Sequence, residues 1–170
     1  MNRRNALALS LVSFFCLALL PGGAPAQQRS LKEQFIGTWA LVANDNFAAD
    51  GTKREAFGPS PKGFTVYQAD GRYIQIMVRS DIPSFKINNR LQGTAEENRM
   101  VVHGSAASFG TWTLDEANKI LTVRLEGSFF PNLAGTTSKR SVTLAGDELK
   151  ISNPTAGSGG RAEQVWTRAK

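Results

Sequence analysis

Val123-Arg124-Leu125-Glu126-Gly127-Ser128-Phe129-Phe130-Pro131-Asn132-Leu133-Ala134-Gly135-Thr136 is the stretch whose reading decides the fold. From Val123 to Gly127 aliphatic and charged residues alternate, a two-residue period that belongs to a strand with two unlike faces. Phe129 and Phe130 then run into a Pro-Asn turn, and Gly135 sends the chain into a further strand. The turn region is more apolar than an ordinary hairpin loop. Arg124 and Glu126 are two apart and so share a face, which points either to water or into a closed sheet.

Working outward, every neighbouring segment also reads as a strand. Upstream, residues 109–114 and 120–127 flank the turn residues 115–119. Downstream, residues 138–144 and 149–153 flank Gly146-Asp147, and residues 161–168 close the chain after a Gly/Ser-rich loop at 154–160. Asp70-Gly71 between 64–68 and 72–78 is a strong hairpin signal, because Gly tolerates positive φ without steric cost. Residues 38–42 form the first strand, 44–50 a loop, and 52–57 a weak, charged strand that suits an edge. Gly58-Pro59-Ser60-Pro61-Lys62-Gly63 is a loop, and residues 80–89 a rim loop. Thr94 followed by Glu97 gives a capping box, so a short mid-chain helix runs from there to about His103. Residues 27–34 are a flexible lead-in or a short helical turn, with Leu31 and Phe35 four apart.

About nine short strands separated by turn residues specify an all-β fold, an antiparallel sandwich or an up-and-down barrel. The ends favour the barrel, here of about eight to ten strands, because a tryptophan-bearing strand opens the domain and another closes it. Pairing them would remove both free edges.

Composition bounds the function. The chain has 170 residues and a formal net charge of +6. Arg3-Arg4, the apolar run over residues 6–20 and Ala24-Pro25-Ala26 have the order of a secretory signal peptide, which assigns 1–26 to a leader and 27–170 to the domain. The apolar run is shorter than the ~20 residues that span a bilayer, so no stable membrane anchor is expected. Export to the periplasm or the exterior follows, by the general or the twin-arginine route. The single cysteine, Cys16, lies in the leader, so the domain depends on its core rather than on disulfides. Basic residues are interspersed with acids and form no run, so nucleic acid is not an expected partner. His103 is the sole histidine and has no His, Cys or Asp cluster beside it in sequence, so neither a metal nor a cofactor is expected. Gly157-Ser158-Gly159-Gly160 lacks the features of a phosphate loop, and no G-x-S-x-G nucleophile motif is present.

Several motifs together resemble the bacterial and fungal lipocalin-like domain family. They are Gly37-Thr38-Trp39 with Leu41-Val42, Gly58-Pro59 with Pro61 and Gly63, Asp70-Gly71-Arg72, and Phe109-Gly110-Thr111-Trp112. Glu126-Gly127-Ser128 with Phe130-Pro131-Asn132, Gly135-Thr136, and Gly160-Arg161 through Val165-Trp166 to Arg168 complete them. The resemblance covers most of residues 31–168 and implies a small lipocalin-type barrel. It also implies that an arginine near the C-terminus, Arg168 rather than Arg161, packs across Trp39 and closes one end. For some relatives it implies an isomerase or cyclase role. Unlike the better-known lipocalins, this chain has no C-terminal helix and no disulfide.

The expected function is binding of a small hydrophobic or amphipathic molecule inside the barrel. Phe64, Val66, Tyr73, Met77, Phe109 and Trp112 are the expected lining, with Arg124, Glu126 and Arg140 as polar contacts. A buried Arg-Glu set would also supply a general acid or base, so a barrel enzyme is the alternative, and an envelope interaction module a third reading.

Overall fold

A computed structural model describes residues 29–156 and 160–170. The expected leader, residues 1–26 with Cys16, lies outside the described residues, as do Gly157, Ser158 and Gly159. Among the described residues, no helix is long and apolar enough to cross a membrane.

The domain opens with a one-turn helix α1 (Leu31–Phe35), held by a capping box in which Ser30 Oγ accepts from the Glu33 N–H and Glu33 accepts from the Ser30 N–H. Nine strands follow: β1 (Gly37–Phe47), β2 (Lys53–Glu55), β3 (Lys62–Tyr67), β4 (Arg72–Val78), β5 (Ser105–Asp115), β6 (Ile120–Ser128), β7 (Thr137–Ala145), β8 (Glu148–Asn153) and β9 (Arg161–Arg168). Helix α2 (Ala95–Gly104) interrupts the series between β4 and β5, capped by Thr94 and Glu97.

All pairings are antiparallel, in the order β1-β3-β4-β5-β6-β7-β8-β9, and β9 pairs back to β1 from Trp39↔Arg168 to Phe47↔Arg161. Eight strands therefore close into an up-and-down barrel, and β2 adds a short ninth strand beside the far end of β1. The expected all-β barrel with one mid-chain helix is the architecture found.

Several element boundaries differ from the sequence reading, among them the start of β3, which takes in Lys62 and Gly63 of the expected loop. Residues 44–47, expected as loop, extend β1, because Asn44, Asp45 and Asn46 are laddered to β9 and, from Asp45 on, to β2. Ladder hydrogen bonds on both sides outweigh the turn preference of Asn and Asp. The strand expected over 52–57 shrinks to Lys53–Glu55, and β5 begins at Ser105 rather than 109, paired to Val78.

Two bulges set which residues point inward. Register shifts at Leu41/Ala43 on β1, and on β6 Glu126 is the extra residue between Gly110↔Leu125 and Phe109↔Gly127. An extra residue reverses the in-out alternation beyond it. Gly110 allows the close approach at the second bulge, since a Cβ there would collide with the Arg124 carbonyl oxygen.

One end of the barrel is shut. Phe35 of α1 packs on Tyr67 with ring centroids 4.5 Å apart and on Trp112 at 5.4 Å. Trp39 Nε1 donates to the Phe35 carbonyl, and the Arg168 guanidinium lies 4.0 Å over the Trp39 ring. Arg168 also donates to the Gln34 and Ile36 carbonyls, so it caps the short helix while stacking on the indole. The family-implied arginine is thus Arg168. Arg161 sits at the opposite end, over Phe47.

Candidate functional site

The inward faces of the eight strands enclose the interior of the barrel. Toward the shut end lie Trp39, Tyr67, Tyr73, Trp112 and Trp166, all fully or nearly fully buried. Leu121, Val123, Leu125, Val142, Leu149 and Ile151 form an aliphatic wall on β6 to β8. Between them stands a polar set: Asn44, Thr65, Gln75, Arg140 and Gln164 are buried too.

These polar groups reach across the barrel. Gln75 Nε2 on β4 donates to Gln164 Oε1 on β9 at 3.0 Å. Asn44 Nδ2 lies 3.2 Å from Met77 Sδ, and Thr65 Oγ1 donates to the Ile74 carbonyl. Among the described residues, four buried side-chain atoms have no hydrogen-bond partner: Asn44 Oδ1, the hydroxyls of Tyr67 and Tyr73, and Trp166 Nε1. Native interiors leave few such atoms, each costing about 1–3 kcal/mol when unsatisfied.

Arg140 is 8% exposed, and its Nε donates to Ser138 Oγ at 3.2 Å. Among the described residues it enters no ion pair, and the one buried acid, Glu97, belongs to α2 and is bonded there to the N–H groups of Lys86 and Thr94. The charge of Arg140 is felt at Tyr67. Burial pushes the Tyr67 phenol well above its ordinary range, Tyr73 adds to that push, and Arg140 opposes it.

Of the expected site residues, Tyr73, Met77, Trp112 and Arg140 face the interior. Phe109, Arg124 and Glu126 do not. Phe109 is 49% exposed on the outer wall, because residues three apart on a strand cannot share a face and Trp112 points in. Arg124 and Glu126 flank inward Leu125, so both project outward. Glu126 is paired at 3.0 Å with Arg72 of β4, and both side chains are largely solvent-exposed. Arg124, Glu126 and Arg140 therefore do not converge, and the arrangement offers no Arg-Glu acid-base set. Phe64 and Val66 likewise turn outward, since their neighbours Thr65 and Tyr67 are the buried residues of β3.

Sequence reasoning missed Asn44, Gln75, Gln164 and Trp166 as interior groups. Gln164 and Trp166 were accessible from alternation, since Ala162, Gln164 and Trp166 share one face of β9. Asn44 was not, because the bulge at Val42 turns it inward.

Outside the barrel, Phe64, Ile74 and Phe109 expose apolar side chains on neighbouring strands, and Phe129 and Phe130 are exposed just after β6. An open cleft of about 330 Å³ between α2 and the segment after β4 is lined by Arg79, Asp81, Glu96, Arg99 and His103 among others. Among the described residues, no three His, Cys, Asp or Glu side chains gather closely enough to hold a metal ion.

A family model described as a lipocalin-like domain matches residues 36–169. Among solved structures, a lipocalin-like protein from Bacteroides uniformis is 15% identical, with a TM-score of 0.44, and the match covers 79% of this chain and 97% of that one. An uncharacterized protein from Bacteroides eggerthii is 12% identical, with a TM-score of 0.39, and the match covers 79% of this chain and 98% of that one. No functionally curated protein matches the chain.

Proposed function

Since the chain belongs to the lipocalin-like domain family, we propose that its barrel binds one small, mostly apolar molecule. A barrel of about eight strands has room for its own side chains or for one small ligand. The observation that carries the reading is the set of four buried, unpartnered polar atoms on inward-facing side chains. In a solid structural core such atoms are pure cost; beside a ligand or its accompanying water they acquire partners. The aliphatic wall supplies apolar contact, and the polar groups fix orientation, the usual division of labour in ligand pockets. Entry falls to the end opposite α1, past the Gln75–Gln164 bridge, because Phe35 and Arg168 block the other.

Native mass spectrometry of protein purified without organic solvent tests this. A discrete non-covalent adduct, or one-to-one uptake of an added apolar molecule, is expected. Absence of both would refute the reading.

The proposal extends to location: residues 1–26 direct export and are removed after Ala26. N-terminal sequencing of protein recovered from outside the cytoplasm should begin at Gln27. A mature chain that still begins at Met1 would contradict it.

A further inference from the structure

The outer wall of the barrel has two unlike halves. On β6 to β8 the outward positions are polar or charged, among them Arg124, Lys139, Thr143, Glu148 and Lys150. On β3, β4 and β5 the outward positions form two apolar rows instead. Phe64, Ile76 and Ala107 are cross-strand neighbours in one row, and Val66, Ile74 and Phe109 in the other. All six side chains are hydrocarbon, and Phe64, Ile74 and Phe109 are exposed. We propose that this face docks a second copy of the chain, sheet against sheet, about a two-fold axis. Interior binding is not needed for it.

Apolar side chains scattered singly over a surface are ordinary, whereas a contiguous apolar face marks a site of interaction. The shape of this face fits its own copy. Its two rings stand at opposite corners, Phe64 on β3 in the first row and Phe109 on β5 in the second. The smaller Ala107 and Val66 occupy the other two corners. A two-fold axis lying between the facing sheets and close to the direction of β4 exchanges β3 with β5 and keeps each row in place. It sets Phe64 over the partner's Ala107 and Phe109 over the partner's Val66, so a ring meets a smaller side chain at every corner. Ile74 and Ile76, on the axis, meet their own copies.

Facing sheets interdigitate in this manner at a spacing of about 10 Å, with their strands within about 30° of one another. No charge lies in the two rows, so docking strands none away from water. The Phe109 ring is also set in place beforehand. It lies against Gly127, where a Cβ would collide with it, and a side chain already ordered loses less freedom on association. The wall of an eight-stranded barrel is convex, which confines the contact to these three strands and their flanks. The interface therefore falls at the small end of specific ones, below about 1,200 Å² in total, and the dimer dissociates on dilution.

Analytical ultracentrifugation of the wild-type protein over a concentration series into the high micromolar range tests this. The protein should pass from monomer to dimer and stop there. Ile74→Glu and Ile74→Lys each bring like charges together on the axis, and each should weaken dimerisation by about tenfold or more. An equimolar mixture of the two should recover much of it, since Glu then faces Lys. Phe109→Ala, which adds no charge, should weaken dimerisation by about tenfold. Wild-type protein that stays monomeric throughout would overturn the inference, and so would a monomer whose apolar face binds phosphatidylglycerol vesicles in place of its own copy. Association that continues past the dimer would also overturn it, as would a dimer left intact by Ile74→Glu and Phe109→Ala in variants that melt cooperatively. A mixture of the Glu and Lys variants that stays monomeric would contradict the axis through Ile74.

Discussion

Arg168, Glu97 and Tyr67 each turn a local arrangement into a measurable quantity. Arg168 stacks on Trp39 and donates to two carbonyls of the α1 segment. Its replacement by Ala removes a cation–π contact worth about 0.5–2 kcal/mol and leaves helix-end carbonyls unpaired. Chemical denaturation should show Arg168→Ala destabilised by about 1–3 kcal/mol, and Arg161→Ala by clearly less, since its contacts with the Phe47 ring and Glu163 are half-exposed. Glu97 accepts from the N–H groups of Lys86 and Thr94, and these bonds hold its carboxyl below the usual range. A depressed carboxyl stabilises the fold above its unfolded value of about 4.3 and loses that contribution as pH falls through the lower folded value. Hydrogen exchange at the Lys86 amide should therefore lose protection in acid before the barrel amides do; equal loss would contradict the tie. Tyr67 shifts the other way. Its raised phenol contributes stability that is fully present below about pH 10 and is lost as pH rises further. In Tyr73→Phe, where Tyr67 is the remaining tyrosine, phenolate absorbance should stay flat near pH 10 and appear only with unfolding.

At the scale of the strand, register decides which residues do chemistry. The sequence pattern located the strands well: the Asp70-Gly71 hairpin, the Gly146-Asp147 turn and the Thr94–Glu97 capping box all stand where their residues place them. Facing was harder to read. Phe109 and Trp112 could not both point inward at a spacing of three, and the interior took the tryptophan. Arg124 and Glu126 were undecided between water and lumen until Leu125 proved to be the inward residue. Bulges carry no strong signature in a single sequence, so the inward turn of Asn44 could not be seen. Gly110 makes the β5–β6 bulge testable. Gly110→Ala would drive a methyl group into the Arg124 carbonyl, and overpacking of this kind costs about 1–3 kcal/mol. Thermal melting should fall accordingly.

For the whole molecule, closure of β9 onto β1 explains how a cysteine-free domain holds together. Eight strands leave no barrel edge unpaired, and α1 seals one end with Phe35. Phe35→Ala should cost about 3–5 kcal/mol, as for other buried aromatics. The closure was legible from strand count, tryptophan placement and motif resemblance; the seal by Phe35 was not. Arg140 was expected as an interior group; the rest of the polar interior was not, because Asn44, Gln75 and Gln164 come from three strands far apart in sequence and meet only once the barrel closes. The most direct measurement is energy transfer from Trp39, Trp112 and Trp166, all buried in the barrel, to N-phenyl-1-naphthylamine, comparing the wild-type domain with Ala162→Phe, which adds bulk to the inner wall near the open end. Interior binding predicts saturable one-to-one transfer that Ala162→Phe weakens severalfold while the barrel still melts cooperatively. Transfer that never saturates, or that Ala162→Phe leaves untouched, would place the probe on the outer wall and contradict the account.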